Sequence, residues 1–232
     1  MSTEPETTTV TLDGGDTVSA VVYYATAKRI GVTVILGHGA GANQHSSFMK
    51  LFAGGLAARG CDAMTFNFLY MERGRGAPDQ KAKLESCYRS VIKAAAEYPK
   101  LKRNRMVIGG KSMGGRIASL VAAQVAATEM DNISALVFLG YPLHPPGKPE
   151  KLRVEHLPGI RAPMLFLQGT KDAFGTPDEI QRFIRELKLP ARIYVIEGGD
   201  HSFKVLKSSP VPQAQVYELA IDEIVRWLTS AD

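Results

Sequence analysis

A chain of 232 residues, 45% apolar and 22% charged, has the composition of a globular protein with a sizeable core, which excludes the fibrous and wholly disordered classes. The formal net charge of +5 raises the question of nucleic acid, but the densest basic group, Lys100, Lys102, Arg103 and Arg105, falls at a helix-to-strand connection. Such charges suit a solvated loop beside a helix C-terminus, and no spaced nucleic-acid motif accompanies them. No apolar run is long enough to cross a bilayer and the first residues carry no apolar signal segment, so neither nucleic acid nor membrane is an expected partner and a cytoplasmic location is expected.

In chain order, residues 1–8 read as a disordered tail and residues 9–232 as one domain. Val10 to Leu12 and Val18 to Tyr24, split by Asp13-Gly14-Gly15-Asp16, read as a hairpin. Gly31 to Leu36 is apolar without alternation, as in a strand buried on both faces. Phe48, Leu51, Phe52 and Leu56 recur at helical spacing up to Gly60, and Asp62 to Phe68 follows as a strand. Asp79 to Tyr98 reads as a helix stopped by Pro99, Met106 to Ile108 as a strand, and Ser112 to about Ala127 as a small-residue helix.

Ser134 to Leu139 is the next strand, a Pro-rich stretch leads to the strand Met164 to Gln168, and Thr176-Pro177-Asp178-Glu179 opens a helix with a capping box. Arg192 to Ile196 and a final amphipathic helix through Trp227 complete the order. Strands alternating with helices predict an α/β fold, a doubly wound and mostly parallel sheet with helices on both faces. Cys61 and Cys87 have no metal-ligand spacing and read as buried free thiols.

Gly110-Lys111-Ser112-Met113-Gly114 lies directly after a strand and before a helix. A sharp strand-to-helix turn would present the Ser112 hydroxyl at the carboxyl edge of the sheet, with glycines allowing close backbone approach. Two other roles fit the same residues, a helix-capping serine and a phosphate loop. The phosphate loop fails because Arg105 stands where its first glycine is needed and Met106 to Ile108 is strand.

A serine needs a base, and the base an orienting acid. Asp172 follows one later strand and His201 the last, so chain order is Ser112, Asp172, His201. Asp200 is a rival acid, and His38, His45, His144 and His156 are rival bases. The turn Gly37-His38-Gly39-Ala40-Gly41 ends another strand, so the oxyanion donors should be the N–H of Met113 and that of Ala40 or, next, Gly41.

These motifs together resemble the α/β-hydrolase superfamily over Val18 to Trp227. Phe66 to Asp79 and Gly110 to Arg116 resemble a compact, cap-less branch that includes bacterial hydrolases of unassigned substrate. It also includes a domain of eukaryotic testis-expressed and chromatin-complex proteins. The resemblance implies a sheet of about eight strands with the second antiparallel to the rest. Dienelactone hydrolases are similar too, but their nucleophile is cysteine, so Ser112 implies ordinary ester or thioester chemistry. The expected function is a serine hydrolase of a small or medium acyl substrate, with no cofactor and no metal; a silent interaction module and an acyltransferase are the alternatives. Leu139 to Met164 is too short for a large helical cap, so Phe68, Tyr70, Leu143, His144, Phe174 and Phe203 are expected to line an open pocket, with Arg73 and Arg75 on the same edge.

Overall fold

Runs of β-branched and apolar residues, each too short to be a helix, pair into one sheet in the computed structural model, which describes residues 4–125 and 133–230. Its strands are β1 (Glu6–Thr11), β2 (Thr17–Tyr23), β3 (Val32–Gly37), β4 (Asp62–Phe66), β5 (Arg105–Lys111), β6 (Ile133–Leu139), β7 (Met164–Gly169) and β8 (Ala191–Ile196). Their order across the sheet is β1-β2-β4-β3-β5-β6-β7-β8. β2 runs antiparallel to both neighbours, and every ladder from β4 to β8 is parallel. The helices are α1 (Ser47–Ala57), α2 (Leu69–Glu72), α3 (Lys81–Glu97), α4 (Met113–Val125), α5 (Pro177–Glu186) and α6 (Gln213–Thr229).

The absence of hydrophobic alternation in β3, β5 and β6 has its cause in the two apolar layers they separate. Val32, Val34 and Leu36 of β3 join Val107 of β5 and Val137 of β6 in the core beneath α1 and α6. Ile35, Ile108, Leu136 and Phe138 point the other way, into the core beneath α3, α4 and α5. Each helix contributes one apolar stripe; α1, for example, buries Met49, Phe52, Ala53 and Leu56. At the start of α5 the capping box is formed: Glu179 N–H donates to the Thr176 hydroxyl, and Thr176 N–H donates back to the Glu179 carboxylate.

Besides β5, which runs from Arg105 to Lys111 where Met106 to Ile108 was expected, and α3, which is shorter at both ends, two boundaries differ from the sequence expectation. The chain is strand from Glu6, so residues 6–8 belong to β1 instead of a disordered tail; residues 1–3 lie outside the described residues. The Thr run is polar but β-branched, and β2 offers it a complete ladder from Glu6 opposite Val22 to Thr11 opposite Thr17. The Glu6 carboxylate accepts hydrogen bonds from the hydroxyls of Tyr24 and Tyr98 and from Lys100, which hold its pKa down at about 2. The second difference is at β4, which ends at Phe66; Phe68 instead caps the short helix α2. The expected end of α4 at Ala127 falls outside the described residues.

One buried side chain bridges the two central strands below the site. The Tyr88 hydroxyl accepts from Gly109 N–H at 3.0 Å and lies 2.8 Å from Ile35 O and 2.7 Å from Gly109 O. Replacing it strands a buried backbone donor. Tyr88→Phe is therefore expected to lower the unfolding free energy by about 1–3 kcal/mol in a urea titration. An unchanged midpoint would mean that β3 and β5 satisfy Gly109 without the phenol.

Candidate active site

β5 delivers Ser112 to the carboxyl edge of the sheet, and α4 leaves immediately after it. The turn is so tight that Ser112 has φ 50, a left-handed conformation that costs a residue with a side chain about 1–2 kcal/mol. Backbone ties hold it there: Ser112 N–H donates to Leu139 O at 3.1 Å, and Ser112 O accepts from Arg116 N–H at 3.0 Å. Glycines make the approach possible. A Cβ added to Gly114 or to Gly110 would lie 2.1 Å from Gly37 O, so the ends of β3 and β5 and the first turn of α4 meet backbone to backbone.

The two strands beyond β6 bring the other predicted side chains to the same edge. His201 Nε2 lies 2.8 Å from Ser112 Oγ, and His201 Nδ1 lies 2.8 Å from Asp172 Oδ2. A carboxylate only accepts, so Nδ1 carries the proton and Nε2 is left to accept from the serine hydroxyl. Asp172 is 2% exposed, and its carboxylate is held by three donors: His201, Phe174 N–H at 2.8 Å and the Gln168 amide at 2.8 Å. Gln168, itself fully buried, also donates to Gly175 O at 2.7 Å and so pins both ends of the Asp172 loop. Phe174 stacks on the imidazole with ring centroids 4.2 Å apart, and Lys111 Nζ donates to His201 O at 2.5 Å.

On the other side of Ser112 stands the turn after β3. The fully buried His38 accepts Phe68 N–H at Nε2 (3.1 Å), which leaves Nδ1 as the donor to Gly39 O at 2.8 Å. With every described peptide trans, a carbonyl held inward turns the following N–H outward, so His38 orients the Ala40 N–H. Ala40 is exposed, and the Tyr70 hydroxyl holds its carbonyl at 2.8 Å. Met113 opens α4, where the first N–H groups have no partner within the helix. Met113 directly follows Ser112, and Ala40 directly follows Gly39, where an added Cβ would stand 3.8 Å from Ser112 Cβ. Burial pushes the His38 imidazole down to about 4. In nitrogen-15 NMR at pH 6, His38 is therefore expected as the neutral Nδ1–H tautomer; an imidazolium signal would break the account of how Ala40 is oriented.

The other sequence candidates separate cleanly. Asp200 accepts from the N–H groups of Ser202 and Lys204 and shapes a turn, so it is no second acid for His201. His144 contacts Pro145 O and Glu179, and His156 contacts Ser119, so the contacts of both rings go to residues other than Ser112. Arg73 and Arg75 are paired with Asp16 and Asp79.

The expected pocket lining needs correction. Phe68, Tyr70 and Phe203 are fully buried, Leu143 is 1% exposed and His144 6%, because they pack beneath the rim. Phe68 lies edge-on to His38, Phe203 packs against Phe48 and Phe52, and Leu143 sits under Gly175. Of the six, Phe174 alone is half-buried at the surface, against His201. The sequence reasoning did not find Gln168 or the tie from Lys111. A lone amide ending the apolar run of β7, four residues before Asp172, was the available signal for the first.

Both cysteines are free and buried, and burial pushes each thiol up to about 12. Among the described residues, no group of three or more His, Cys, Asp or Glu is arranged to hold a metal ion, and no helix is long and apolar enough to cross a membrane.

A mostly parallel eight-stranded sheet with a strained serine at the end of β5 is the α/β-hydrolase architecture. The chain belongs to the alpha/beta hydrolase domain family, whose sequence profile matches residues 31–229. Among solved structures it is similar to an alpha-beta serine hydrolase homologue from Coxiella burnetii (18% identity, 98% of each chain covered, TM-score 0.75). It is also similar to a dienelactone hydrolase from Anabaena variabilis (18% identity, 94% of this chain and 95% of that one, TM-score 0.72). A third is a serine hydrolase without lid from Xanthomonas campestris (18% identity, 98% of this chain and 96% of that one, TM-score 0.70). At such identities the likeness establishes the fold.

Proposed function

We propose that this protein is a serine hydrolase that cleaves a carboxylic ester or thioester through an acyl-enzyme on Ser112. The observation that carries the reading is the unbroken row from Ser112 Oγ to His201 Nε2 and from His201 Nδ1 to Asp172, with both links at 2.8 Å. As Ser112 Oγ bonds to the substrate carbonyl carbon, its proton passes to His201 Nε2, and Asp172 steadies the imidazolium. The carbonyl oxygen becomes an oxyanion facing the N–H groups of Met113 and Ala40. When the bond to the leaving oxygen or sulfur breaks, His201 returns the proton to that group. Water then repeats the sequence: it loses a proton to His201, its oxygen bonds to the acyl carbon, and the proton goes back to Ser112 as the acid departs.

The strain at Ser112 supports an enzyme over a silent interaction module. A left-handed serine at the tip of a strand is unfavourable locally, and a binding surface elsewhere on the fold has no use for it. Acyl transfer to an alcohol would use the same residues, with the alcohol replacing water in the second half.

A fluorophosphonate probe is expected to label the wild-type protein and not Ser112→Ala. Asp172→Asn, which leaves the imidazole in the wrong tautomer, is expected to lower kcat on p-nitrophenyl acetate by about 10,000-fold. Wild-type protein that resists the probe, or labelling that survives Ser112→Ala, would overturn the assignment.

A further inference from the structure

Beside Ser112 lies a cavity of about 350 Å³ whose walls include Phe48, Met49 and Tyr217. Gly39 is part of its wall, where a Cβ would stand 3.8 Å from Ser112 Cβ, and Lys111, which also lines it, directly precedes the nucleophile. Its lining holds two cations, Lys111 and Lys204, and no carboxylate. Lys204 is exposed, whereas Lys111 is only 8% exposed.

Lys111 forms no ion pair among the described residues. Its ammonium has three donors, of which one reaches His201 O and the others no acceptor among the described residues; the Phe48 ring lies 5.7 Å from Nζ. The negative charges of Asp172 and Asp200 favour its protonated form without an ion pair, and both carboxylates are engaged by other donors. Burial outweighs both of them and pushes the ammonium down to about 8. A buried cation left in this state favours an anion brought by a ligand.

We propose that this cavity receives the acyl chain of the substrate and that Lys111 pairs with a carboxylate carried on that chain, making the preferred substrates half-esters or half-thioesters of short dicarboxylic acids. The inference rests on the hydrolase reading above. An apolar wall of Phe48, Met49 and Tyr217 takes the methylene chain, the buried Lys111 takes the charge, and the exposed Lys204 draws the anion in from solvent.

The test compares kcat/KM on mono-p-nitrophenyl glutarate with that on p-nitrophenyl butyrate, which matches the chain without the charge. The wild type is expected to favour the glutarate ester, and Lys111→Met to lower the glutarate-to-butyrate ratio by about 10- to 100-fold, the loss expected for a charged hydrogen bond. A purely structural tie to His201 would lower both substrates together and leave the ratio unmoved, which overturns the proposal. Lys204→Glu, at an exposed position, is expected to lower the same ratio and keeps the test open if Lys111→Met does not fold.

Calorimetric titration of glutarate into Ser112→Ala protein gives a readout independent of turnover. Binding that Lys204→Glu weakens supports the subsite, and no binding overturns it. If the fluorophosphonate probe fails to label the wild type while glutarate still binds, the hydrolase reading falls and the anion site stands. Labelling with a wild-type preference for butyrate sinks the subsite alone.

Discussion

The geometry of the site depends on one crowded backbone junction, where Gly37 at the end of β3, Gly110 near the end of β5 and Gly114 in the first turn of α4 touch with no side chain between them. A Cβ on Gly110 or Gly114 would meet the Gly37 carbonyl oxygen at 2.1 Å, and one on Gly37 would stand 3.0 Å from Gly114 Cα, so α4 would have to move away from the sheet. Ser112 sits between Gly110 and Gly114 and would move with it. A displacement of about 1 Å at a reacting atom is enough to cost about 100-fold in rate. The left-handed Ser112 is the visible consequence of this junction: the chain accepts local strain because the surrounding contacts leave it no other path.

Around that junction, buried polar side chains hold the loops that carry the chemistry. His38 fixes the Gly39 carbonyl, Tyr70 fixes that of Ala40, and Gln168 spans the loop around Asp172. Each finds its partners inside the protein, which is what makes a polar group tolerable in a core and also what makes it rigidifying. These groups touch no reacting atom in the mechanism; they hold the peptide or side chain that does. Lys111 differs from them, because its tie to the His201 carbonyl uses only part of what an ammonium can donate.

Order along the chain made much of this legible in advance. Parallel strands joined by helices must all end at the same edge, so residues just after β5, β7 and β8 were expected to meet there, and Ser112, Asp172 and His201 do. The glycines around Ser112 and after β3 could be read for the same reason. The pocket was harder. Phe68, Leu143, His144 and Phe203 stand in edge loops and Tyr70 in the short α2 beside them, but a place at the edge does not say which way a side chain turns, and largely apolar side chains turn inward when a core is within reach. The polar Thr run in β1 misled in the opposite direction, since pairing with β2 depends on backbone groups that composition does not describe.

By itself, then, the amino-acid order determined the periodicities, the chain stops and the succession of nucleophile, acid and base, because these are local patterns or consequences of strand direction. Tertiary structure alone decided the tautomer of His38, the burial of Lys111 without an ion pair among the described residues, the clasp of Gln168 on the acid loop and the shape of the cavity lined by Gly39 and Lys111. Each of those is set by groups far apart in the chain, and their distances exist only once both apolar layers have closed on the sheet.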